Sequence, residues 1–125
     1  MKLSEQPVYK IMLVDDEPSV RNSSQMLLVH FGHIVQSADN GTAALAWLET
    51  GQFDLLITDY FMPGMHGDEL AALIKLRQPG LRIIMVTAYA DQLRAEGKLD
   101  GNVDCLLLKP FSLTELKDAI AQVMR

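Results

Sequence analysis

Five residues in this chain carry side chains suited to chemistry and stand where apolar runs end: Asp15, Asp16, Asp59, Thr87 and Lys109. The run Leu55-Leu56-Ile57-Thr58 stops at Asp59, and a turn cluster with Pro63, Gly64 and Gly67 follows. A short apolar run closed by turn signals reads as a strand buried on both faces. In an open parallel sheet, ligands collect just outside the carboxyl ends of the strands. Three carboxylates gathered on that edge repel one another unless a cation sits among them. A hard divalent ion that takes one or two carboxylates and keeps several waters is most like Mg²⁺. A hydroxyl and an ammonium on the same edge do not serve a cation buffer; they fit an anion carried on, or presented to, the central carboxylate. A carboxylate nucleophile surrounded by a metal, a lysine and a hydroxyl is an arrangement for phosphoryl transfer, in which positioning and charge neutralisation supply most of the catalysis. Each residue alone has a plainer explanation. Asp15 and Asp16 could cap a helix favoured by its dipole, Thr87 could be a β-branched strand residue, and Lys109 a solvated loop lysine. All five at strand ends, in this order, is what separates the two readings.

The elements that must position them follow from hydrophobic period and turn chemistry. Tyr9–Val14, Ile34–Ala38, Asp54–Thr58, Arg82–Val86 and Val103–Leu108 read as strands, the second of them short and mixed, as suits a sheet edge. Pro18 suits the first turn of a helix running to about Phe31, which Gly32 closes. Asn40-Gly41-Thr42 opens a helix through Ala43–Glu49, Asp68–Arg77 forms another, and Asp91–Leu99 is the weakest because Gly97 lies inside it. Ser112-Leu113-Thr114-Glu115 is a capping box for the last helix, with Leu113, Leu116, Ile120 and Val123 on one face. Strands that alternate with helices and join by short connections imply an α/β sandwich around a parallel sheet, each crossover right-handed. Residues 1–8 read as a polar lead-in and 9–125 as one domain.

Composition excludes other classes. The 125 residues suffice for one core, and 11 basic against 16 acidic residues give a formal charge of −5 without a basic run. Direct nucleic-acid binding needs clustered Lys and Arg, so it is disfavoured. No apolar stretch approaches the roughly 18 residues of a membrane span, and the first residues lack the apolar core of a signal peptide. Cys105, the single cysteine, can form no internal disulfide. The expected compartment is the cytoplasm. His30 and His33 read as surface residues, and Trp47, Cys105 and the methionines as packing.

Val14-Asp15-Asp16-Glu17, Asp59 with Met62-Pro63-Gly64-Met65-His66-Gly67, Val86-Thr87-Ala88 and Leu108-Lys109-Pro110-Phe111 together resemble the receiver domain of two-component response regulators, over roughly residues 9–125. The resemblance implies a flavodoxin-like, doubly wound five-stranded parallel sheet of order 2-1-3-4-5 with helices on both faces. It implies Mg²⁺-dependent transfer of a phosphoryl group from a histidine kinase, or a histidine phosphotransfer protein, to Asp59. On this pattern Asp16 and Asp59 ligate Mg²⁺ directly, Asp15 through water, and Phe61 through its backbone carbonyl. Thr87 and Lys109 hold phosphoryl oxygens, and Lys109–Pro110 is a cis peptide. The modified surface around helix four and strand five then regulates an effector protein or domain, or supports a dimer formed on phosphorylation. The domain acts as a phosphoacceptor that promotes its own phosphorylation and dephosphorylation rather than as a turnover enzyme.

Three positions depart from the pattern: His66 where the loop usually carries an acid, Leu106 where an aromatic usually reports the movement of Thr87, and large aromatics at both Phe61 and Tyr89. Other readings have discriminating residues. A haloacid dehalogenase-like phosphatase would place a second Asp two residues after the nucleophile, where this chain has Phe61. A flavin or nucleotide carrier would need a Gly-rich loop after the first strand, where Asp15-Asp16-Glu17-Pro18 is acidic. A receiver cut from a hybrid kinase or larger regulator, and a receiver-like module that is never phosphorylated, remain alternatives; the intact set of five argues against the latter.

Overall fold

A computed structural model describes residues 7–97 and 101–125. The strands β1 (Lys10–Val14), β2 (Ile34–Ala38), β3 (Leu55–Asp59), β4 (Arg82–Thr87) and β5 (Cys105–Leu108) alternate with the helices α1 (Pro18–His30), α2 (Gly41–Thr50), α3 (Gly67–Arg77), α4 (Ala90–Ala95) and α5 (Leu113–Val123). The sheet has the order β2-β1-β3-β4-β5, and every pairing is parallel. This is the flavodoxin-like doubly wound sheet that the motifs imply.

Alternation along the strands sends side chains to two cores. Met12, Val14, Leu56 and Ile83 pack on one face with Ala44 and Leu48 of α2 and Leu70, Ala71 and Ile74 of α3. Ile11, Leu13, Leu55, Ile57, Ile84, Val86 and Leu107 pack on the other with Leu28 of α1 and Leu116, Ala119, Ile120 and Val123 of α5. The central strands are covered on both sides, hence their unbroken apolar runs. β2, at the edge, has mixed burial, as its composition suggests.

Caps account for most boundaries. Pro18 starts α1, Asn40 Oδ1 accepts the Ala43 N–H at 2.7 Å at the start of α2, and the Ser112–Glu115 box opens α5 with bonds of 2.8 and 3.1 Å. Most other boundaries shift by a single residue; two differ from the sequence reading by more. α4 ends at Ala95, and Gly97, with φ +70, follows it in the left-handed turn rather than lying inside the helix; the remainder of the Asp91–Leu99 expectation falls partly outside the described residues. β5 begins at Cys105 rather than Val103, because Asp104 Oδ2 takes the Ile83 N–H at 2.7 Å and a side chain replaces the ladder there. Of the lead-in 1–8, residues 1–6 lie outside the described residues.

Two side chains are also placed differently. His33 is half-buried rather than on the surface: its ring stacks on Tyr9 with centroids 5.5 Å apart, and its Nδ1 accepts the Tyr9 N–H at 3.1 Å. Trp47, expected to pack, is 46% exposed on α2. Among the described residues no helix is long and apolar enough to cross a membrane.

Candidate functional site

The register fixes which residues share an edge. Val14 lies opposite Thr58, Asp59 opposite Val86, and Thr87 opposite Leu108. The sheet therefore delivers Asp15 and Asp16 from β1, Asp59 from β3, Thr87 from β4 and Lys109 from β5 to one carboxyl edge. All five sequence-derived residues stand on that edge, and the ion pairs bring Asp15, Asp59 and Lys109 together.

Lys109 Nζ lies 3.2 Å from Asp59 Oδ2 and 3.6 Å from Asp15 Oδ2. Asp59 Oδ1 accepts the Tyr60 N–H at 3.0 Å, and Asp15 Oδ1 accepts the Glu17 N–H at 2.9 Å. Thr87 is buried, and its Oγ1 accepts the Tyr89 N–H at 3.0 Å, which leaves its hydroxyl hydrogen free to turn outward. The Lys109 N–H donates to the Thr87 carbonyl at 2.9 Å, tying the ammonium's backbone to the hydroxyl's. Lys109–Pro110 is cis, as the motif implies.

Asp15, Asp16 and Asp59 each offer a carboxylate oxygen within 4.8 Å of the others. Burial pushes the Asp59 carboxyl above its ordinary value; the Lys109 ammonium opposes that push and the Asp15 carboxylate adds to it. Lys109 is thus one ammonium against three acids, and the hard oxygen donors fit a divalent cation. The cavity behind Asp15, Asp59 and Lys109 measures about 10 Å³, room for about one water.

Around this centre lie the positions that depart from the receiver pattern. Phe61 is 44% and Tyr89 56% exposed, and their rings meet edge to face with centroids 5.5 Å apart. Leu106 packs beside the buried cluster of Tyr60, Met85 and Leu93. His66 stands at the N-terminus of α3, where its N–H donates to Glu69 Oε1 at 3.0 Å, and its ring lies 5.9 Å from that of Phe61. A second group of ligand atoms, from His66, Asp68 and Glu69, comes together at that helix end. The helix dipole and the cap account for its acids.

Two contributors escaped sequence reasoning. Arg21 Nη1 donates to the Asp15 carbonyl at 2.7 Å; an arginine on the second turn of a helix gives no signal by type. Gly67 brings α3 against the end of β3. Its N–H donates to the Tyr60 carbonyl at 2.8 Å, and a Cβ there would run into the Asp59 carbonyl oxygen and Met85 Sδ. The sequence marks it only as one turn glycine among several.

Comparison with known proteins agrees with this geometry. The family model described as the response regulator receiver domain matches residues 11–121. Chemotaxis protein CheY of Pseudomonas aeruginosa is 36% identical, over 91% of this chain and 94% of its own length. Response regulator protein FleR of the same organism is 38% identical over 90% of this chain, which spans only 24% of FleR. Among solved structures, the response regulator TrrA of Thermotoga maritima, in complex with Mg²⁺-BeF, is similar with a TM-score of 0.84 and 33% identity, covering 91% of this chain and 97% of that one.

Proposed function

The chain belongs to the response regulator receiver domain family, and from that membership we propose that Asp59 is the acceptor of a phosphoryl group passed from a phosphohistidine in a kinase or phosphotransfer protein. Receiver domains are signalling switches of two-component systems, and the phosphoaccepting reading is the one this fold and family favour. The observation that carries it to the residue level is the Lys109 contact at 3.2 Å to the carboxylate at the end of the central strand.

In this reading an Asp59 oxygen attacks phosphorus as the phosphorus–nitrogen bond of the donor histidine breaks. The donor ring's other nitrogen carries a proton, so the electron pair of the broken bond stays on a ring that leaves as neutral imidazole, and an aspartyl phosphate is formed. Lys109 holds one phosphoryl oxygen, and the free hydrogen of Thr87 turns to donate to another. Asp15, Asp16, Asp59 and the Phe61 carbonyl would hold Mg²⁺, which when bound neutralises charge on the transferring group. Deprotonated Asp59 is needed for attack; burial, the larger influence, works against that form and Lys109 works for it.

The new group adds about −1.5 to −2 charges and three acceptor oxygens. Thr87 is linked through Tyr89 N–H to the loop before α4, so its rotation carries that loop with it. The surface of α4 and β5 is then the output, read by an effector or a second receiver. Location in the cytoplasm with the donor goes with this reading, and so does promotion of phosphate loss by the site's own residues. Incubation with acetyl phosphate and Mg²⁺, followed by intact mass, tests the proposal. One phosphoryl group should be gained by the wild-type chain and none by Asp59→Asn; no gain in either, or an equal gain in both, contradicts it.

A further inference from the structure

The three acids of the site are not held alike. Asp15 is anchored on every side: its N–H donates to the Ala38 carbonyl at 3.2 Å, its Oδ1 accepts the Glu17 N–H at 2.9 Å, and its Oδ2 faces Lys109 at 3.6 Å. Asp59 is held by Lys109 and the Tyr60 N–H. Asp16 is exposed, and no side-chain bond from another described residue steadies it, so its direction is set by its backbone. The peptide plane that joins Asp15 to Asp16 carries the Asp15 carbonyl, and that oxygen accepts the 2.7 Å bond from Arg21 Nη1. Arg21 is half-buried on α1, and its own N–H donates to the Glu17 carbonyl at 2.9 Å. The guanidinium thus reaches back from the helix across the turn that it follows. Fixing this carbonyl fixes ψ of Asp15 and, because the peptide is planar, the position of the Asp16 nitrogen and Cα from which the carboxylate departs.

We propose that Arg21 is a positioning residue: it clamps the Asp15–Asp16 peptide so that the otherwise unsupported Asp16 carboxylate projects toward Asp59. This rests on the reading that Asp16 and Asp59 hold a divalent cation. The clamp and simple electrostatics have opposite signs. Removing a cation from beside three carboxylates should tighten a divalent ion by Coulomb's law, whereas releasing the clamp should loosen it by letting Asp16 wander.

The test is Mg²⁺ titration by calorimetry on the wild type, Arg21→Gln and Asp16→Asn, together with metal-free thermal melts and the Mg²⁺ dependence of phosphorylation by acetyl phosphate. Arg21→Gln should weaken Mg²⁺ about tenfold, as expected for losing a charge-assisted hydrogen bond. It should raise the half-saturating Mg²⁺ concentration by the same factor, and leave the rate at saturating Mg²⁺ near that of the wild type. A merely structural role would instead lower the metal-free melting temperature and the limiting rate, with unchanged affinity, and would overturn the proposal; so would equal or tighter Mg²⁺ binding. If Asp16→Asn also binds Mg²⁺ normally, the cation reading itself fails and the clamp with it. If Asp16→Asn loses binding while Arg21→Gln does not, only the clamp fails. Should Arg21→Gln not fold, Arg21→Lys keeps the charge but lacks the planar fork and carries the same expectation.

Discussion

Phe61 and Tyr89 follow Asp59 and Thr87 by two residues, each about half exposed and edge to face with the other. On the proposed function, we expect the water that would hydrolyse a phosphoryl group on Asp59 to approach in line past these two rings. Phenylalanine cannot orient a water at all, and the tyrosine can only through its distal hydroxyl, so the proximity advantage for hydrolysis is withheld. Loss of phosphate should therefore be slow, and Phe61→Asn/Tyr89→Glu should speed it by about tenfold, which needs only about 1.4 kcal/mol of barrier. Timed mass spectra after removal of the donor measure this; an unchanged decay would leave the pair as a partner-binding patch instead. His33 makes a prediction of another kind. Its Nδ1 accepts the Tyr9 N–H only when unprotonated, and burial holds the ring below its ordinary value of 6.5. The unfolded chain thus takes up this proton first as pH falls. The stability it contributes is full above about 6.5, declines below it, and levels off beneath the lowered folded value. Thermal melts from pH 7 to about 5 should fall more steeply for the wild type than for His33→Asn. His33 was illegible in sequence because its partner is a backbone amide just before β1, 24 residues away, and Trp47 misled because aromatic type alone does not reveal a helix face. Asp59 and Lys109 were legible because each stands where an apolar run breaks.

The start of α3 lies hard against the end of β3 at Gly67, where a Cβ would meet the Asp59 carbonyl oxygen and Met85 Sδ. A methyl group there must push the helix from the strand that carries the central carboxylate. Gly67→Ala should destabilise the fold by about 1–3 kcal/mol, as overpacking does, and lower the melting temperature; a melt equal to the wild type would mean that the helix shifts freely. The strands were readable because β1, β3 and β4 are buried on both faces and carry unbroken apolar runs. The ends of α4 and β5 were not. A glycine at +70 terminates a helix as readily as it weakens one, and only the fold shows that Asp104 takes over a ladder bond.

The whole molecule is a two-core sandwich that gathers Asp15, Asp16 and Asp59 at one edge and carries a net charge of −5. Sheet order was legible through the motifs rather than through hydrophobic pattern, which gives strands but not their neighbours. What the sandwich accomplishes is to bring Asp59, half-buried at the end of the central strand, within reach of Lys109 fifty residues further along the chain. On the proposed function, this carboxylate and no other receives phosphate. Proteolysis and tandem mass spectrometry of the chain after treatment with acetyl phosphate, with and without Mg²⁺, locate the group directly. A single phosphoryl group on Asp59 that appears only with Mg²⁺ is expected; phosphate on Asp15, Asp16 or a residue away from this edge, or labelling of Asp59 indifferent to Mg²⁺, would overturn the assignment.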